Sequence, residues 1–322
     1  MNATSNATAS HDEPIVELPP AAPLTASARG LGERWVEAGL TLCGLLSVAM
    51  TAGLVLTLLA ESVRFFSDVS PVAFFGGLEW APRVQNQRFG VWPLVGGTLL
   101  TSAVAMAVAV PMGLLAAVYL SEFAAPSVRR RLKPALEVLA GIPTIVFGYF
   151  ALLVVTPALQ SVMADLSGFN ALSAGLVIGL MLTPMIFSLC EDAISAVPHD
   201  VSEAAFALGA YPLTTIFRVV LPAASSGIRA AILLAFGRAL GETVIVAIAA
   251  GHQARLTADP TVPIETMTGY VLQVASSGAP AGTLEYRTIF AVGGILFVFT
   301  LLMNVLAHRL RHRLRAPSEG VS

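Results

Sequence analysis

Residues Glu203 to Pro222 read EAAFALGAYPLTTIFRVVLP, a mixed stretch lying between long apolar runs. Polar and charged groups between two membrane helices belong in water, where a soluble partner can reach them. The order of residues predicts a knuckle. A short helix starts at Glu203-Ala204-Ala205, and Gly209 ends it in a left-handed turn that few other residues tolerate. Val219-Val220-Leu221-Pro222 is then expected to turn the chain back into the membrane. Such an element suits docking into the groove of another protein.

The rest of the chain is membrane-like. It is 56% hydrophobic and 12% charged, with a mean hydropathy of +0.78, whereas soluble domains carry about a quarter charged residues. Six segments reach the roughly 20 apolar residues that a span needs: approximately 40–60, 93–120, 135–158, 171–190, 227–251 and 288–307. The second and third are long enough to tilt or to extend past the bilayer. An all-α membrane protein with six transmembrane helices follows.

The placement of Lys and Arg predicts the orientation. With the N-terminus inside, twelve of the 18 basic residues fall on the inner side: Arg29, Arg34, Arg129, Arg130, Arg131, Lys133, Arg218, Arg229, Arg309, Arg311, Arg313 and Arg315. Only Arg64, Arg83, Arg88, Arg255 and Arg287 fall outside, and Arg238 lies within a span. Both termini and the 203–222 loop are thereby expected in the cytoplasm, the side that holds ATP. Residues 1–30, rich in Ala, Ser, Thr and Pro, read as a disordered cytoplasmic tail in which the Asn2 and Asn6 glycosylation triplets carry no meaning. Residues 31–310 form the transmembrane domain and 311–322 a second cytoplasmic tail.

Several classes are excluded. A net charge of −2 provides no basic field for nucleic acid. Cys43 and Cys190 sit in or at the end of spans, unsuited to a disulfide or a metal site, and His308 and His312 have no acidic or cysteine companion. No cofactor is expected. Lys133, the only lysine, stands between Leu132 and Pro134, so the Gly-Lys-Ser/Thr of a phosphate-binding loop is missing. Any ATP-driven work must use a nucleotide site on another subunit.

Two outer loops remain. Residues 61–92 carry Phe65, Phe66 and Trp80, either as rings resting at the lipid headgroups or as a receptor contact. In residues 252–287, the spacing of Met267, Val271 and Val274 predicts a short re-entrant or interfacial helix. Pro111, Pro143, Pro157 and Pro184 fall within spans, where each either bends its helix or serves as a hinge.

Inside the fifth span stands Gly237-Arg238-Ala239-Leu240-Gly241-Glu242-Thr243. Four residues apart, Arg238 and Glu242 are expected on one helical face. A charge near the bilayer centre costs about 2.5–3.5 kcal/mol on insertion scales, so it faces a cavity or a partner. One reading is an intrahelical salt bridge that neutralises itself. The other is an anion pathway, in which the planar guanidinium offers paired donors to an oxyanion and Glu242 holds the fork until the anion arrives. Gly237 and Gly241 would let another backbone approach.

The 203–222 stretch resembles the EAA loop of ABC-importer permeases. Glu203-Ala204-Ala205, three residues, Gly209, nine residues, then Val219-x-Leu221-Pro222 is that pattern, with Val219 where Ile is usual. The Gly237–Thr243 run resembles the matching helix of phosphate-importer permeases, the PstC family. So do Glu79-Trp80-x-Pro82, Pro93-Leu94-Val95-x-Gly97-Thr98-Leu99, Ala109-Val110-Pro111-x-Gly113, Tyr119-Leu120-Ser121-Glu122 and Gly141-Ile142-Pro143-Thr144-Ile145-Val146-Phe147-Gly148.

The resemblance covers about residues 30–310 and implies a type I, MetI-like permease in the bacterial inner membrane. It implies a PstA-like partner permease, two PstB-like ATPase subunits, an external phosphate-binding protein and inorganic phosphate as cargo. It places Arg238, Glu242 and Thr243 on the substrate pathway. Glu203, Ala204, Ala205, Gly209, Leu221 and Pro222 become the ATPase-coupling element. No covalent chemistry is expected on this chain. A permease for sulfate or molybdate, and a membrane enzyme acting on lipid phosphates through Arg238 and Glu242, are the alternatives.

Overall fold

A computed structural model describes residues 31–313. The expected tail at 1–30, and the second tail beyond residue 313, lie outside the described residues, as do the side chains of His308 and His312.

In chain order the helices begin with α1 (Leu31–Asp68) and α2 (Pro71–Gly76), followed by a two-stranded hairpin of β1 (Trp80–Ala81) and β2 (Arg88–Phe89). Then come α3 (Trp92–Val118), α4 (Pro126–Ala140), α5 (Thr144–Phe150), α6 (Thr156–Gln160) and α7 (Ala171–Ser195). They are followed by α8 (His199–Ala207), α9 (Pro212–Thr215), α10 (Leu221–Leu240), α11 (Val244–Ala249), α12 (Met267–Ser276) and α13 (Leu284–Arg313). Single π-helical turns occupy Tyr119–Phe123, Ala151–Val155 and Ile216–Val220.

The chain divides into two compact units, Met1–Val55 and Leu56–Ser322. The described part of the first is helical and, from Leu40 to Val55, apolar on every side, a composition suited to lipid. In the second unit, α3 and α7 pack along small residues. A methyl group added at Gly179 would stand 2.7 Å from the Ala105 carbonyl, and one at Gly113 would stand 2.8 Å from Ile186 Cβ. Backbones that close gain dispersion contacts where lipid offers no hydrophobic drive. Leu182, Ile186 and Phe187 of α7, Ala235 of α10 and Ile245 of α11 complete this core.

A second core gathers Phe65, Phe74, Trp80, Leu94, Met267 and Tyr270. Phe65 and Trp80 are buried, so the 61–92 loop does not present them to headgroups or to a receptor. Edge-to-face pairing explains it: the Trp80 and Tyr270 rings lie 5.0 Å apart at 88°, an arrangement aromatic quadrupoles favour. The helix expected in the other outer loop is α12, started by the Thr266 hydroxyl, which accepts from the Gly269 N–H at 3.0 Å.

Among the described residues, five helices are long and apolar enough to cross a membrane: Trp35–Asp68, Trp92–Phe123, Ala171–Ser195, Pro212–Leu240 and Leu284–Ala307. Thr144–Gln160 is a shorter sixth apolar helix. Two stretches differ from their expected bounds. The helix expected over 135–158 is broken at Gly141-Ile142-Pro143, because the residue before a proline disfavours helix; α4 stands apart from α5 as a result.

The helix expected over 227–251 instead runs from Pro212 to Leu240. Val219-Val220-Leu221-Pro222 therefore does not turn the chain. It lies inside a continuous helix, where the π-turn at Ile216–Val220 ends two residues before Pro222. That wider turn accommodates a ring that would otherwise clash with the carbonyl four residues back. The turn at Ala151–Val155 stands in the same relation to Pro157, and there the Thr156 hydroxyl donates to the Ala151 carbonyl five residues back, at 3.0 Å.

Candidate functional site

The knuckle is built by α8, α9 and the link between them. Gly209 has φ +83°, the left-handed region, and nothing lies within 4 Å of where a Cβ would stand. Its requirement is conformational, not steric. Glu203 and Ala204 face outward, Ala205 is buried beneath them, and its carbonyl accepts from the Ala210 N–H at 3.1 Å to close the turn. Leu221 packs on the first core and Pro222 is exposed on α10. Of the expected coupling residues, then, Glu203, Ala204, Gly209 and Pro222 are at the surface, while Ala205 and Leu221 hold the element from behind.

The most exposed apolar groups here are ones the motif did not single out. Leu208 is 89% exposed and Tyr211 80%, with Phe206, Leu213 and Phe217 beside them in the chain. Large apolar side chains flanking a turn in a polar connection were the available signal. A cavity of about 530 Å³, lined by Leu189, Asp192, Val197, Val201, Gly227 and Ala231, opens between α7, α8 and α10.

At the far end of the same helix, the expectation for Arg238 and Glu242 fails in one respect. They do not share a helical face, because α10 ends at Leu240 and the chain turns at Gly241 (φ −89°, ψ 0°). Arg238 is exposed in the last turn of α10, where the helix dipole favours a cation. Among the described residues no carboxylate reaches it. Glu242 is 9% exposed, and its carboxylate accepts from the Val244 and Ile245 N–H groups at 3.1 and 3.3 Å. Those are the first amides of α11, which have no partner within the helix. The intrahelical salt bridge is thus absent because Glu242 is engaged elsewhere.

Thr243 donates to the Gly241 carbonyl at 3.1 Å and stays in the turn. No backbone approaches Gly237, where the space a Cβ would enter is open to 4 Å, and Gly241 meets only its own helix. The Thr268 hydroxyl of α12 donates to the Glu242 carbonyl at 2.6 Å, which ties the break to the 252–287 loop.

Beyond α11, His252 holds a positive φ of 50° and points Nδ1 at the buried Glu265 carboxylate, 3.8 Å away. That carboxylate raises the affinity of His252 for its proton above the ordinary imidazole value of 6.5.

A third charged group went unnoticed in the sequence. Glu191, at the end of α7, is 1% exposed and accepts hydrogen bonds from Arg129 and, at 2.7 Å, from Lys133 of α4. The hydrogen bond to Glu191 raises the Lys133 pKa. The acidic pair Glu191-Asp192 closing an apolar run, in a chain with a basic helix elsewhere, was the signal for it. Among the described residues, no group of three or more His, Cys, Asp or Glu could hold a metal ion.

Known proteins match this arrangement. A probable ABC transporter permease protein, YqgH, from Bacillus subtilis is 28% identical over 85% of this chain and 89% of its own. The phosphate transport system permease protein PstC of Mesorhizobium japonicum is 31% identical over 84% of this chain and 88% of its own. Among solved structures, a chain of the MetNI methionine ABC transporter, in an inward-facing conformation, superimposes with a TM-score of 0.52. At 18% identity over 70% of this chain and 94% of that one, it shows a common MetI-like fold. Residues 109–316 match the family described as binding-protein-dependent transport system inner membrane component. This multi-pass membrane chain belongs to that family, as a permease and not an enzyme.

Proposed function

We propose that this chain is the permease subunit of an ATP-driven phosphate importer, lining half of the translocation pathway. The observation that carries the reading is mechanical. The knuckle and Arg238 stand at opposite ends of one continuous helix, Pro212–Leu240, which carries the π-turn at Ile216–Val220 near its start. At roughly 1.5 Å per residue that rod separates them by about 40 Å, the thickness of a bilayer with its headgroups. A push on the knuckle therefore reaches Arg238 along one continuous helix.

In this reading both termini and the knuckle face the cytoplasm. Leu208, Tyr211 and the exposed Glu203–Ala204 edge enter the groove of one of two PstB-like ATPases, while Gly209 keeps the turn. The cavity behind α8 leaves it room to rock. A PstA-like permease completes the pathway, and an external phosphate-binding protein delivers the cargo. ATPase closure biases the pore only if the ATPase binds its two states unequally.

Arg238, which no carboxylate reaches among the described residues, presents its fork to phosphate. Glu242 and Thr243 act by holding the break at Gly241, which exposes Arg238 and turns α11 aside. The relative named for phosphate transport supports phosphate as the cargo.

The test is uptake by the reconstituted importer. Arg238→Gln is expected to abolish most phosphate uptake; wild-type rates would remove Arg238 from the pathway. Competition by sulfate or molybdate in place of phosphate would keep the permease and change the cargo.

A further inference from the structure

Helix α4 carries four basic residues, Arg129, Arg130, Arg131 and Lys133, within its first two turns. Cations so near a helix N-terminus oppose the helix dipole, so anions are needed around them. Glu191 serves Arg129 and Lys133, which face α7. Arg131 lies on the opposite side of α4 and Arg130 on its flank, both exposed, with no carboxylate in reach among the described residues. Nearby apolar groups are left uncovered by the described residues: Val138, on the Arg131 face, is 71% exposed, and Leu132 is exposed on the other flank.

Arg131 and Val138 are seven residues apart and so share a face, separated by roughly 10 Å along the axis. Polarity falls along that face, from basic at the N-terminal end to apolar at the C-terminal end, where the chain passes into the apolar α5. The same gradient runs from lipid headgroup to acyl chain, over the depth at which interfacial helices sit. The π-turn before α4 adds two further exposed rings, Tyr119 and Phe123.

We propose that α4 is a lipid-binding helix whose Arg130 and Arg131 hold the phosphate of an anionic phospholipid, on the membrane face that carries α8. A soluble phosphate would satisfy the two guanidinium groups but leave Val138 in water. A phospholipid satisfies both ends. Because Glu191 ties α4 to α7, and α7 packs on α3 and α10, the bound lipid sets the depth of the core helices in the membrane.

The experiment measures binding of fluorescent phosphatidylglycerol and phosphatidylcholine of matched chains to the purified full importer. Wild type is expected to prefer phosphatidylglycerol, and added salt should weaken that preference. Arg130→Gln with Arg131→Gln should lower phosphatidylglycerol affinity by about tenfold or more, leaving phosphatidylcholine unchanged. Arg130→Lys with Arg131→Lys should retain most of the preference. A wild-type importer that binds the two lipids equally would overturn the proposal, even if the glutamine variant failed to fold. So would displacement of the lipid by millimolar inorganic phosphate, or a photo-crosslinker at position 138 that labels protein instead of lipid.

Discussion

The two ends of the Pro212–Leu240 helix are both exposed, yet in opposite ways. At the knuckle, Leu208 and Tyr211 hold apolar surface in the open, which only another protein or a lipid covers favourably. At the far end, Arg238 holds a full charge in the open, which water or an anion satisfies. In the proposed function, one end serves a standing protein partner and the other a passing charged solute. The helix between them would then let a protein event become a solute event.

That contrast can be broken at either end. The largest effect is expected at Arg238. Loss of a charge-assisted contact of about 1.5–3 kcal/mol means phosphate uptake by Arg238→Gln vesicles falls roughly 10- to 100-fold. ATPase co-purification should be unchanged; joint loss of both would mean that Arg238 is structural.

Next is Gly209→Val, which forces a branched side chain into φ +83° at a cost of about 1–2 kcal/mol. It should release the ATPase from solubilised membranes. Gly237→Ala, an open and ordinary helical position, should leave both readouts alone and serves as the control.

A smaller change is expected for Glu242→Ala, which removes the acceptor for two α11 amides at about 1 kcal/mol. Thermal melting should fall by a few degrees, and Glu242→Gln, which keeps an acceptor oxygen, should recover part of it. Full stability in Glu242→Ala would mean the carboxylate does not hold the break.

The smallest effect concerns pH. His252 binds its proton more tightly folded than unfolded, so its pairing with Glu265 stabilises fully below about pH 6.5 and fades as pH rises through the higher folded value. The melting difference between wild type and His252→Gln should be widest in acid and shrink toward alkaline pH. A difference that grows with pH would reverse the assignment.

Much of this is legible in the order of residues alone. The EAA pattern, the apolar segments and the lone Lys133 each follow from local residue chemistry, and α12 is visible as helical spacing. What could not be read was where helices stop. Spacing of four places Arg238 and Glu242 together only while one helix continues, and nothing in the run Ala239-Leu240-Gly241 forces a stop. Leu221-Pro222 misled in the opposite sense, since a proline that reads as a break is absorbed by a π-turn.

The sequence by itself determined a polytopic membrane chain without the Gly-Lys-Ser/Thr of a nucleotide site, and its motifs carried the resemblance to importer permeases, because composition and motifs are properties of residues in order. Only the tertiary structure decided that one helix joins the knuckle to Arg238, that Glu242 serves α11 instead of Arg238, and that Glu191 gathers Arg129 and Lys133. The physical reason is that competing hydrogen bonds differ by about 1 kcal/mol. Choices that close are settled by contacts such as Thr268 on Glu242, which join residues far apart in the chain.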